Sequence, residues 1–246
     1  MKKQQLQGGE KSWRLNAFLR EAGLGSRRKA DELIRAGLIF VNGAVADFGT
    51  MVGIADEVFF QGCRVKLKAK KLRVWLYNKP RGVICTFSPR ERPNLSDELQ
   101  LGESFFTVGR LDKDSEGLLL LTNCGETAQL LTHPSYGHEK EYVVTLTRPG
   151  PPEMCRRFVS GIELEDGLSR AVRAEWIDVS SFRIVLTQGR NRQIRRMCEF
   201  FGCRIKKLQR IRFGELKLDV QTGKCRLLSK KEMETIIDRQ CRVDEN

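Results

Sequence analysis

Four leucines in succession, Leu118 to Leu121, follow directly on a charged loop bounded by glycines, Gly109-Arg110-Leu111-Asp112-Lys113-Asp114-Ser115-Glu116-Gly117. The run carries neither a helical nor an alternating period. The turn residues Asn123 and Gly125 close it, so it predicts a short strand buried on both faces. A strand of that kind has to lie inside a sheet that is covered above and below. The acidic loop before it is thereby anchored to the core, which is the layout of a functional loop held on a rigid element.

The spacing of Asp112, Asp114, Glu116 and Gly117 matches the opening of an EF-hand calcium loop. The position that should supply the closing bidentate Glu is Asn123, and leucines fill the stretch before it, so the match fails. Taken alone, such a loop is an ordinary surface turn whose carboxylates cap backbone amides. Only a larger constellation gives it chemistry.

Over 246 residues the chain has 44 Lys and Arg against 31 Asp and Glu, a net charge of +13. That excess points to a polyanionic partner, nucleic acid first. No apolar run approaches the ~18 to 20 residues that span a bilayer, and Met1 to Gln5 lacks the apolar stretch of a signal peptide. No membrane association and a cytosolic location are expected. The eight cysteines are scattered without a C-x-x-C pair, and the two histidines are His133 and His138. Metal-ligand spacing is absent, and reduced structural thiols are expected.

Along the chain, residues 1–12 read as a disordered lead-in. Leu15, Phe18, Leu19 and Ala22 share one helical face that Gly23 ends, and Ser26 caps a second helix that stops at Gly37. Asn42-Gly43 is a hairpin signal, and a further strand pair is predicted around Val58 to Phe60 and Val65. Arg27, Arg28 and Lys29 cluster at the start of the second helix, where free backbone amides and basic side chains together suit phosphate. With Arg14-Leu15-Asn16, Gly25-Ser26-Arg27-Arg28, Ala30 and Val41-Asn42-Gly43, residues 13–66 resemble the RNA-binding module named after ribosomal small-subunit protein four.

A basic linker over 67–73 leads to a second domain, 74–246. Phe105 to Val108 leads into the charged loop, and strands are predicted at Val74 to Tyr77, Val83 to Cys85, Glu141 to Leu146, Ala171 to Trp176, Phe182 to Leu186, Ile205 to Leu208, Glu215 to Leu218 and Cys225 to Leu228. Helices are predicted at Glu126 to Leu131, from Pro151 toward Gly161, at Gln193 to Phe201 with Asn191 as cap, and after a Ser229/Glu232 capping box. So many strands with few helices between them predict an α+β chain: a small helix-helix-hairpin domain, then a mixed, mainly antiparallel sheet with flanking helices.

Three stretches of this domain resemble the RsuA-type family of ribosomal RNA pseudouridine synthases. They are Gly109-Arg110-Leu111-Asp112 with Ser115, Gly117-Leu118-Leu119 and Leu121-Thr122-Asn123; then Lys140-Glu141-Tyr142; then Gly189-Arg190-Asn191-Arg192-Gln193-Ile194-Arg195-Arg196-Met197. With Asn78-Lys79-Pro80 and the small module, the resemblance spans about residues 13 to 235. It implies an isomerase that detaches uracil at nitrogen and rejoins it through carbon, without a cofactor or metal.

The resemblance assigns the nucleophile to Asp112, a basic partner to Arg195, and base stacking or proton transfer to Tyr142. A carboxylate facing polyanionic RNA in a pocket shielded from water needs such a cation beside it. RNA contacts are expected from Arg14, Arg27, Arg28, Lys29, Lys79, Arg81, Arg110, Arg190, Arg192 and Arg196. The basic run Arg204, Lys206, Lys207, Arg210 and Arg212 either extends that track or is a solubilising surface. Asp114 is expected to be supporting or exposed. Gln188 departs from the Glu that relatives often carry before the Gly-Arg pair, and His138 has no implied duty.

The implied partner is ribosomal RNA, with the His-Glu-Lys-Glu-Tyr region favouring the large subunit. A transfer-RNA stem-loop is an alternative target, a non-catalytic RNA-binding assembly factor is an alternative of another class, and a monomer is expected.

Overall fold

The computed structural model describes residues 12–67, 71–100, 105–133 and 136–238. The expected lead-in lies outside those residues apart from Ser12, as do positions 68–70 of the expected linker. The chain divides between Lys71 and Leu72 into two compact units.

The first unit contains β1 (Trp13–Arg14), α1 (Leu15–Glu21), α2 (Arg27–Arg35), β2 (Ile39–Val41), β3 (Ala44–Val45), β4 (Met51–Val52), β5 (Val58–Phe60) and β6 (Cys63–Val65). The apolar face of α1 supplies Leu15, Phe18 and Leu19 to a core shared with Ala30, Ile34, Ile39 and Val58. The Ser26 hydroxyl accepts the Lys29 N–H at 3.2 Å and caps α2. Asn42 and Gly43 both take positive φ, 51° and 83°, the geometry that matches a tight turn to the twist of its flanking strands. β1 pairs antiparallel with β4. Two-residue strands carry no period, so nothing in the pattern announced that pair.

The second unit runs β7 (Val74–Lys79), α3 (Leu95–Glu98), β8 (Phe106–Val108), β9 (Glu116–Thr122), α4 (Gly125–Thr132), β10 (Lys140–Leu146), α5 (Met154–Ser160), β11 (Ile162–Leu164), β12 (Gly167–Ser169), β13 (Arg173–Asp178), β14 (Ser181–Leu186), α6 (Gln193–Glu199), β15 (Ile205–Phe213), β16 (Leu216–Lys217), β17 (Cys225–Leu227) and α7 (Lys230–Asp238). A nine-stranded sheet takes the order β13-β14-β10-β15-β9-β7-β17, with β16 on β15 and β8 on β9. β9 and β15 are parallel, while the other pairs are antiparallel. The sheet is thus mixed and mainly antiparallel, as expected.

The leucine run is β9, and its alternate side chains feed two cores. Leu119 and Leu121 join Tyr142, Val144, Phe158, Ile194 and Met197 on the face covered by α5 and α6. Leu118 and Leu120 join Leu76, Phe213, Leu131 and Ile236 on the face covered by α4 and α7. A strand with helices on both faces has no polar side to show, which is why the run is unbroken.

Several local expectations need correction. Asn191 does not cap α6: Arg192 holds the N-cap position at φ 47° without a side-chain cap bond, and the left-handed turn there leaves Asn191 exposed, its carbonyl accepting the Arg196 Nε–H at 3.0 Å. The strand expected at 205–208 extends to Phe213 and lies in mid-sheet between β10 and β9. Only part of the run is a basic surface: Arg204, Lys206 and Lys207 are exposed, whereas Arg210 is buried and Arg212 is held by Glu139 and Glu141 at 2.9 and 2.7 Å. Ser229 and Glu232 do form their capping box at α7, through N–H contacts of 2.8 and 3.3 Å.

Candidate active site

Neighbouring strands place the site. In register across the sheet, Gly117 of β9 faces Arg210 of β15, and Arg210 faces Tyr142 of β10. Gly117 has φ +103°, and a Cβ there would drive into the Arg210 backbone. Only glycine lets the parallel strands close at this point. The β10–β15 register shifts between Glu141 and Tyr142, the kind of bulge that re-aims a side chain at the edge of a site.

The loop between β8 and β9 is pinned at several points. Gly109 N–H donates to the Thr132 hydroxyl at 3.1 Å, Leu111 N–H to the Cys85 sulfur at 3.4 Å, and Gly82 N–H to the Lys113 carbonyl at 2.7 Å. Leu111 and Ser115 point inward and are buried. Between them Asp112 is left half-buried, its carboxylate at the wall of a cavity of about 340 Å³. Arg110, Tyr142, Arg190, Arg192 and Arg195 also line this cavity.

Arg195 enters from the first turn of α6 and is 7% exposed. Its Nη2 donates to the Asp114 carbonyl at 3.0 Å and the Ser115 hydroxyl at 3.1 Å, and lies 3.2 Å from Asp114 Oδ2. Its Nε is 3.9 Å from Asp112 Oδ2 and makes no hydrogen bond. The guanidinium is thus fixed by the loop and set beside Asp112 as a positive charge. Tyr142, 8% exposed, completes the wall.

The structure brings Asp112, Tyr142 and Arg195 together and sorts the expected RNA-facing cations. Arg14, Arg27, Arg28, Lys29, Arg81, Arg110 and Arg192 are exposed. Lys29 also pairs with Glu32 at 3.1 Å, and Arg192 with Asp114 at 3.4 Å. Arg190 donates to the carbonyls of Asp166, Gly167 and Leu168, and Arg196 grips Asp166 through two contacts of 2.7 and 2.8 Å, so both brace the β11–β12 hairpin.

Lys79 is not an RNA contact. It is 0% exposed, and its ammonium donates to the Pro80 and Val83 carbonyls at 2.9 and 2.7 Å. Burial lowers its pKa, an effect opposed by the thiol of Cys85 and the carboxylates of Asp112, Asp114 and Glu116. Its sequence neighbours Pro80 and Gly82 explain the position: the chain turns around the ammonium.

Asp114, expected to be supporting or exposed, supports Arg195 together with Ser115, for which the sequence showed no part beyond the motif, and the sequence did not reveal Asp166, the anchor for Arg190 and Arg196. No local pattern links 166 to 190 or 196. Ser115 carried a signal, since it belonged to the motif. Among the described residues, no group of three or more His, Cys, Asp or Glu side chains is placed to hold a metal ion, and no helix is long and apolar enough to cross a membrane.

Comparison with known proteins gives this geometry a family. Residues 73–200 match the RNA pseudouridylate synthase family, and residues 13–58 match the S4 domain. The dual-specificity RNA pseudouridine synthase RluF of Escherichia coli is 38% identical over 226 residues, covering 91% of this chain and 78% of that protein. Ribosomal large subunit pseudouridine synthase B of Xanthomonas campestris is 40% identical over 219 residues, covering 83% of this chain and 44% of that protein. A crystal structure of a pseudouridylate synthase superposes with a TM-score of 0.67 at 27% identity, covering 91% of this chain and 99% of that one. The chain belongs to the RNA pseudouridylate synthase family. It is an isomerase with an RNA-binding S4 domain ahead of its catalytic sheet.

Proposed function

We propose that the chain converts specific uridines of ribosomal RNA to pseudouridine, in the large subunit rather than the small, with Asp112 as nucleophile. The observation that carries this reading is the half-buried Asp112 carboxylate, 3.9 Å from the buried guanidinium of Arg195, at the wall of a cavity shared with Tyr142. The reaction breaks the bond from uracil N1 to the sugar C1′ and forms one from C5 to C1′. A proton leaves C5 and one is gained at N1, so the change is redox-neutral and calls for no cofactor.

Asp112 divides this exchange into two easier steps, by bonding to the nucleotide or by stabilising the detached sugar. Arg195 neutralises the negative charge that the carboxylate would otherwise present to RNA phosphates. A cavity of about 340 Å³ is of a size to take a flipped uridine. Tyr142 offers it a flat ring for stacking and a phenol for proton transfer. The exposed cations Arg14, Arg27, Arg28, Lys29, Arg81, Arg110 and Arg192 serve as phosphate contacts on their respective units.

The large-subunit target is supported by the name of the Xanthomonas relative. The dual-specificity name of the Escherichia relative favours a second substrate as well, and a transfer-RNA stem-loop is the candidate. The test is to incubate the protein with large-subunit, small-subunit and transfer-RNA transcripts and map pseudouridine by chemical derivatisation. Product in the large-subunit transcript is expected; bound RNA without product in any transcript contradicts the reading.

A further inference from the structure

A second cavity, of about 570 Å³, adjoins the first and shares Arg110, Tyr142 and Arg190 with it. Lys140, Arg210 and Phe213, with Val108 and Thr187, form the part of its wall that the first cavity lacks. Lys140 and Arg210 therefore line one space together with the shared Arg110 and Arg190. Lys140 Nζ donates to the His138 and Thr187 carbonyls at 3.1 and 2.9 Å, which uses two of the three ammonium N–H groups. Arg210 is 2% exposed; its Nε donates to the Leu118 carbonyl, while its Nη2 is buried without a hydrogen-bond partner.

Both cations rest on the same aromatic ring, Lys140 Nζ at 5.7 Å and Arg210 Cζ at 6.0 Å from the Phe213 centroid. Among the described residues neither forms a salt bridge, although most other buried or half-buried arginines of this unit do. Burial, and then the charge of Arg210, push the Lys140 ammonium down to about 8. Like charges held together in a largely buried wall with donors to spare are costly unless an anion completes them. A compact oxyanion with several acceptor atoms would complete them, and the space joins the first cavity through Arg110, Tyr142 and Arg190.

We propose that Lys140 and Arg210 form a phosphate subsite that receives the backbone phosphodiester next to the target uridine. This rests on the pseudouridine reading for the source of the phosphate, not for the anion chemistry. An RNA strand whose uridine fills the first cavity carries its neighbouring phosphate past Tyr142 toward the second. The contact fixes which nucleotide faces Asp112, so it acts on positioning and not on the bonds that change.

The direct probe is inorganic phosphate, titrated calorimetrically into the full chain, Lys140→Gln and the charge-keeping Lys140→Arg, with melting curves to verify folding. Phosphate is expected to bind wild type and Lys140→Arg, and to bind Lys140→Gln at least about tenfold more weakly. In an RNA substrate with one neutral methylphosphonate beside the target, wild-type kcat/KM is expected to fall about tenfold or more, and that of Lys140→Gln no further than it has already fallen. Equal phosphate affinity for wild type and Lys140→Gln overturns the subsite. Should Lys140→Gln fail to fold, wild type decides: a loss confined to the flanking methylphosphonate supports the subsite, and an equal loss at a remote linkage overturns it. A chain that makes no pseudouridine but loses phosphate on Lys140→Gln keeps the subsite and loses the reading of function; product with equal phosphate affinities does the reverse.

Discussion

Gly117 of β9 lies against the backbone of Arg210 in β15, at the parallel junction of the sheet, with φ +103° and no room for a side chain. This contact joins the Asp112 loop to the strand that faces Tyr142. Gly117→Ala would meet both the strained φ and the Arg210 carbonyl. A loss of at least about 2 kcal/mol in denaturant unfolding is expected, with lower activity in what still folds. Unchanged stability would show that the strands do not close as described.

The two cores flanking β9 predict a matched pair. Leu119→Ala opens the core under α5 and α6, and Leu120→Ala the one under α4 and α7. Each should cost about 2 to 5 kcal/mol, since both side chains are fully buried. Equilibrium unfolding in urea checks this; a cost below about 1 kcal/mol at either position would mean that face is open to water.

The sheet and its two covers were legible because Leu118 to Leu121 leave no polar face, and Asp112, Tyr142 and Arg195 because each sits in a motif of the family resemblance. What stayed hidden depends on contacts distant in sequence. Arg210 sits in a run of basic residues that reads as surface, and only the parallel pairing with β9 turns it inward. Lys79 reads as an exposed turn cation until the Pro80 and Val83 carbonyls are seen to close around it. Asp166 belongs to a hairpin that no local signal ties to Arg190 or Arg196.

The cap of α7 predicts a pH dependence. Arg226 foremost, with the Ser229 contacts, holds the Glu232 carboxyl at about 2 against the opposing effect of burial. The unfolded value is about 4.3, so the folded state binds protons less readily. The stability it contributes is full above about pH 5 and is lost as pH falls toward 2. Melting temperatures of wild type and Glu232→Gln should therefore differ at pH 7 and converge near pH 2; a constant difference would remove the pair from the account.

Arg195 reaches Asp114, Ser115 and Asp112 from one planar group. Lysine keeps the charge but cannot span those contacts. Arg195→Lys is expected to lower kcat about 100-fold, the cost of misplacing a reacting group by about an ångström, with little change in RNA affinity. Full activity in that variant would show that charge alone, without the guanidinium geometry, suffices.

The claim on which the rest depends is that Asp112 acts on the nucleotide and does not merely shape the loop. The decisive measurement compares wild type and Asp112→Asn on the same ribosomal RNA, reading pseudouridine formed and RNA bound. Asparagine keeps the size of the side chain, so RNA affinity should be retained while product falls by at least about 10³-fold. Pseudouridine formed by Asp112→Asn at a rate near that of wild type would contradict the account.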